Sequence, residues 1–277
     1  MSIQGTAQMG QQQGEKVARS DGFEWLARLG LAARGVVYAV IAILALKVAL
    51  GDGGKTTDQQ GALKTIAQQS FGEILLIVVA IGLFGYALWR LVRAAIGHGA
   101  EGDRDDAKER IDGVASGIGY GILFVTALGI LFGSGGGGGG GGPQSTTGGV
   151  LDWPAGQVLV IIAGLVLLGV AVDQGIKGFK RKFLEKSHTE RMSEKTKKVF
   201  TAFGVFGHLA RMVIFGLMGY FLIKAAIDYD PKEAVSLDGA LAKLANSAGG
   251  PLVLGAVAVG LLGFGLYSFM DARYRRV

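Results

Sequence analysis

The chain predicts an all-α integral membrane protein, with six transmembrane helices arranged as three parallel helical-hairpin repeats about a pseudo-threefold axis. Three observations predict this: six apolar stretches long enough to span a bilayer, a lopsided placement of lysine and arginine, and a unit that recurs along the chain. Half of the 277 residues are hydrophobic, 18% are charged, and mean hydropathy is +0.41. A soluble domain carries roughly a quarter charged residues. Here the charges are gathered between apolar stretches, which is a membrane composition.

The expected spans run Leu29–Leu50, Ile74–Ile96, Val114–Phe132, Gly156–Gln174, Val205–Ile227 and Leu252–Met270. Residues 1–26 are rich in glutamine and glycine and lack an apolar signal-peptide core, so they read as a disordered tail. Repeat one covers 27–98, repeat two 99–180, a basic loop 181–202, and repeat three 203–277. Even-numbered spans open beside glycine or proline ("SFGEILL", "WPAGQVL", "AGGPLVL"), as helix entrances do, where backbone donors lack partners anyway.

Twenty-two lysines and arginines fall on one side of these spans and six on the other. The positive-inside rule then puts both termini in the cytoplasm. The basic run "KGFKRKFLEKSHTERMSEKTKKVF" between spans four and five reads as a cytoplasmic loop touching anionic lipid, not as a nucleic-acid surface. With no cysteine, disulfides, thiolate metal sites and cysteine nucleophiles are excluded.

The first and last thirds align residue by residue. Gly30, Arg34 and Lys47 fall on Gly207, Arg211 and Lys224; Gly82, Gly85, Tyr86 and Trp89 fall on Gly260, Gly263, Phe264 and Tyr267. The middle copy is degenerate, keeping Gly117 and Tyr120 opposite Gly35 and Tyr38, "PAG" opposite "SFG", and Gly169 opposite Gly85. Each unit is a span, an external segment and a span, so all three copies enter the membrane the same way. That differs from the inverted repeats of many alternating-access transporters.

"TTDQQGALKTIAQQ" and "SLDGALAKLANS" predict short amphipathic helices lying on the outer membrane surface, the alternative being structured loops packed on the bundle. In the middle copy the external loop, 134–149, holds Ser134, eight glycines and "PQSTTGG", which predicts a flexible linker. Glycines Gly113, Gly117 and Gly121 at i+4 spacing, with Gly82, Gly85, Gly260 and Gly263, predict close helix packing.

A charge at the bilayer centre costs about 2.5–3.5 kcal/mol on insertion scales, so intramembrane charges snorkel, pair or function. Lys47 and Lys224 sit at external helix ends and can snorkel. Arg34 and Arg211, one turn inside their spans, share a depth with Asp173 and Asp271. They are candidates for charge pairs or for lipid or solute contacts, with Arg34 taking one aspartate and Arg211 the other. No catalytic, cofactor-binding or metal-ligating set emerges. His98, His188 and His208 are isolated, and neither HExxH nor a P-loop is present.

"ARGVVYAVIA", then "D-x-x-G-A-L", then "G-L-x-G-Y-A-L-W" across three hairpin copies resembles the bacterial membrane family called domain of unknown function 1206. The resemblance covers roughly Ala27 to Arg273, is specific in units one and three, and departs in unit two, which lacks the arginine and "D-x-x-G-A-L". It implies a six-helix membrane fold and no activity. The expectation is a non-enzymatic accessory or scaffold, without cofactor, acting through lipids or an unnamed membrane-protein partner. The alternative is a small-solute or ion transporter with Arg34 and Arg211 lining a cytoplasmic vestibule.

Overall fold

A computed structural model describes residues 21–96, 107–133 and 143–276. Residues 1–20 of the expected tail and all eight consecutive glycines lie outside these residues. Nine α-helices are present among the described residues. Six are long and apolar: α1 (Asp21–Leu50), α3 (Gly72–Ile96), α4 (Ala107–Leu131), α6 (Gly156–Phe179), α7 (Glu194–Ile227) and α9 (Gly250–Tyr274). Three are short: α2 (Gln59–Ala67), α5 (Pro143–Leu151) and α8 (Leu237–Ala245), one inside each hairpin.

The long helices extend beyond their apolar cores at the basic end of the molecule, where helix 1 begins and helix 9 finishes. Residues 21–26, expected in the tail, form the opening turns of α1, where Asp21 and Glu24 complement the positive end of the helix dipole. Helix α7 starts eleven residues before the expected span, because the Ser193 side chain accepts from Thr196 N–H and caps it. Hydropathy registers only the buried slab, whereas capping and Lys, Glu and Ala propensity carry the helix into water.

In spatial order the helices run α4–α3–α1–α9–α7–α6. The contacts between repeats are extensive and equivalent (α3 with α4, α6 with α7, α9 with α1), as the pseudo-threefold requires. Within repeats, α1 packs on α3 and α7 on α9, but α4 and α6 make at most marginal contact. The ring is therefore open at the middle hairpin.

All three repeats re-enter the bundle by the same turn. Gly72 N–H donates to Gln69 O at 2.8 Å, Gly156 N–H to Trp153 O at 2.9 Å, and Gly250 N–H to Ser247 O at 2.8 Å. A Cβ at these glycines would collide with the carbonyls of Ile66, Val150 and Ala245 in turn.

Helices α2 and α8 are not surface floats. Ala62, Leu63 and Ile66, and Leu237, Leu241 and Leu244, are buried in one core with α1, α3 and α9. Thr56 Oγ1 donates to Asp238 O at 2.9 Å and ties the two together. The expectation of a linker over 134–149 is corrected from Pro143 onward. Proline at the first helical position starts α5, which rests on α6 and on the 3₁₀ turn Pro231–Glu233, with Tyr229 Oη donating to Leu151 O at 2.8 Å.

Gly35 and Gly265 face each other where α1 crosses α9: a Cβ on either would sit 3.0 Å from the other's carbonyl oxygen. Gly82, Gly85, Gly260, Gly113 and Gly117 likewise meet a neighbouring helix, and Gly263 makes ordinary contact with Phe203. Gly121 does not, with nothing within 4 Å of its Cβ position. At 100° per residue it is turned about 80° from Gly113 on α4, too far to share that face. Gly117→Leu should therefore lower stability by about 1–3 kcal/mol by driving into Leu91. Gly121→Leu should leave the melting temperature in detergent unchanged, and equal losses from both would contradict this packing.

Candidate functional site

Helix α1 carries Arg34 into a buried cluster at the basic end. Its Nε donates to Ser268 Oγ at 3.0 Å, Nη1 to Tyr86 Oη at 3.3 Å, and Nη2 to Asp271 Oδ2 at 3.3 Å. Asp271 is fully buried and also accepts from Arg275 Nη1 and Ser187 Oγ, each at 3.3 Å. Of its two candidate aspartates Arg34 takes Asp271. Arg211 does not take the other: Asp173 holds Lys177, one turn along α6, at 2.6 Å.

Ser187 belongs to the basic loop, which closes this end instead of lying wholly on lipid. His188 N–H donates to Tyr274 O at 2.7 Å and Arg276 N–H to Lys186 O at 3.1 Å, so the loop pairs with the chain leaving α9. Phe183 turns inward, stacked on His208 at 5.3 Å and edge-on to Phe200 and Tyr267. Phe183, one of three phenylalanines in the nine-cation run 177–200, is the sequence signal for this plug.

The repeat alignment explains why the middle unit lacks an arginine. Arg34, Ser116 and Arg211 share one position of the first helix, and Arg90, Gln174 and Ser268 share one position of the second. At α9–α1, Arg34 donates to Ser268; at α3–α4, Arg90 Nη2 donates to Ser116 Oγ at 3.0 Å and to Asp112 at 3.1 Å. The same two positions are bridged with arginine and serine exchanged. At α6–α7, Gln174 Oε1 meets His208 Nδ1 at 2.8 Å, one turn before Arg211.

Arg211 is left over. Its guanidinium lies 4.5 Å from the Phe264 ring centre, 5.4 Å from Phe215 and 5.7 Å from Tyr38, cation–π distances. Among the described residues it forms no ion pair or hydrogen bond, and its Nε is buried without an acceptor. It lines a cavity of about 120 Å³ together with Tyr38, Phe215 and the starts of α2 and α8 (Asp58, Gln59, Ser236). At the far end, Lys224 and Lys243 clamp Glu233 at 2.7 and 2.8 Å, and these bonds hold its carboxyl down at about 2. Lys224 is thus paired as well as placed to snorkel, whereas Lys47 is exposed.

A family profile described as Domain of Unknown Function (DUF1206) matches three times, over residues 29–97, 111–181 and 206–275. The chain belongs to this family. The three matches coincide with the three hairpins, and the third includes Asp271 and Arg275. The segment carrying Ser187 falls between matches, so the plug comes from how two family units are joined. The chain is similar to the uncharacterized protein YxxB of Bacillus subtilis (strain 168), 35% identical over 253 residues, covering 90% of each chain. No solved structure matches.

Proposed function

We propose that this family member is a non-enzymatic protein of the bacterial plasma membrane, its basic end in the cytoplasm, acting as an accessory or scaffold for lipids and other membrane proteins. The parting of α4 from α6 carries the reading. It leaves two apolar faces in the membrane plane, Ile111, Val114, Ile118, Ile122 and Val125 on α4, and Val158, Leu159, Ile162, Leu165 and Val166 on α6. A vestibule at the basic end is opposed by Arg34, which is spent on Asp271, Ser268 and Tyr86 beneath the Phe183 plug. Its lysines and arginines suit anionic headgroups. A second reading, solute or ion transport, is favoured by Arg211 and its cavity.

The test places photoreactive residues at Ile118 and Ile162, with Ile77 on the outer face of α3 as control, in intact cells. The scaffold reading expects discrete protein adducts at the first two positions and lipid adducts alone at the control. Lipid adducts everywhere, together with solute flux in proteoliposomes, would give the transporter reading. In the same cells, cysteine at Lys55 should react with an impermeant maleimide and cysteine at Lys195 should not; the reverse pattern overturns the orientation.

A further inference from the structure

We infer that the cavity beside Arg211 is a binding site for a compact oxyanion, a small carboxylate or phosphate. This is independent of the scaffold reading. The fold contains its own comparison. Arg34 and Arg211 occupy the same repeat position, and both guanidiniums flank Phe264, at 5.1 and 4.5 Å. Arg34 is satisfied by a carboxylate, a serine and a tyrosine from its neighbours. At the corresponding interface Arg211 is offered no carboxylate. The position equivalent to Asp271 is Lys177, engaged with Asp173, and that equivalent to Ser268 is Gln174, engaged with His208. An exogenous oxyanion in the cavity supplies the acceptor that Asp271 supplies to Arg34.

The remaining walls fit that role. A planar guanidinium stacked on aromatics presents its donors as a fork, and a fork takes carboxylate or phosphate oxygens in pairs. Helix α8 starts in the cavity wall at Ser236, whose hydroxyl turns to the Asp238 carboxylate and does not cap the helix, so positive first-turn N–H groups stay uncapped there. Asp58, the one carboxylate among the described residues of the lining, already accepts from Gly61 N–H at 2.8 Å at the start of α2. The volume, about 120 Å³, suits a few heavy atoms, since a single water needs about 10–15 Å³.

The experiment uses the full chain in nanodiscs, titrated separately with acetate and inorganic phosphate at constant ionic strength, read by thermal shift and calorimetry. A saturable rise in melting temperature with at least one of them is expected, and which one names the ligand's source. Arg211→Gln should abolish the response. Should that variant fail to fold, Arg211→Lys, which keeps the charge and loses the fork, should weaken binding at least tenfold. Asp58→Asn, removing a nearby negative charge, should preserve or tighten it. No saturable response to either anion, or one unchanged by Arg211→Lys and Arg211→Gln, overturns the site. So does saturable binding of sodium or potassium that Asp58→Asn eliminates, which would make the cavity a cation site.

Discussion

Asp271→Ala should be among the most damaging single substitutions in the bundle. The carboxylate has no exposure and serves Arg34, Arg275 and Ser187, so its removal takes a buried counter-charge from two guanidiniums at once and leaves Arg34 its neutral partners Ser268 and Tyr86. Breaking a buried pair from one side costs roughly 3–5 kcal/mol. Arg34→Ala should cost less, because Asp271 keeps Arg275 and Ser187. The double variant Arg34→Ala/Asp271→Ala should then lose less than the sum of the two single losses, because no Arg34 guanidinium is left to lack its carboxylate, a coupling that a double-mutant cycle in detergent would read directly. Strictly additive losses would show that headgroup water already satisfies these groups.

Gly72→Ala, Gly156→Ala and Gly250→Ala should each destabilise by about 1–3 kcal/mol, because the new methyl meets the backbone carbonyl of Ile66, Val150 or Ala245 near the end of the short helix, which cannot swing aside. Gly169→Ala, inside α6 with nothing within 4 Å of its Cβ position, is the control. It should be neutral or stabilising by up to about 1 kcal/mol, since alanine is the better helix former. A harmless Gly156→Ala beside two damaging partners would mean that the middle unit does not share the turn.

The fold was legible because its determinants are local or periodic. Span length follows from apolar runs, and the repeat from matched glycines and aromatics such as Gly82, Gly85 and Tyr86 against Gly260, Gly263 and Phe264. Shared depth offered Arg34 either Asp173 or Asp271, and the structure gives it Asp271. Depth alone could not tell that Arg211 would go without a carboxylate, because that depends on azimuth. Asp173 lies four residues from Lys177 on its own helix, and a local partner forms without any tertiary contact. The arginine–serine exchange at 90 and 116 was likewise hidden, since it spans two repeats, and alignment within one helix sees only a missing arginine. Helix α5 was missed because "PQSTTGGVL" has weak intrinsic helix propensity; its partners at Tyr229 and Pro231 are remote in sequence.

The contact between α1 and α9 also sets a timetable. Arg34 and Asp271 are 237 residues apart in the chain. At about 5–20 residues per second, the arginine waits roughly 12 to 47 s for its carboxylate to be synthesised. Through that interval the first helix holds a costly charge without its intended partner, and only the arrival of the last helix retires it. A ribosome that stops short of the final helix leaves more than a shortened protein. It leaves the oldest segment of the chain unfinished, which marks a prematurely terminated product from its very beginning.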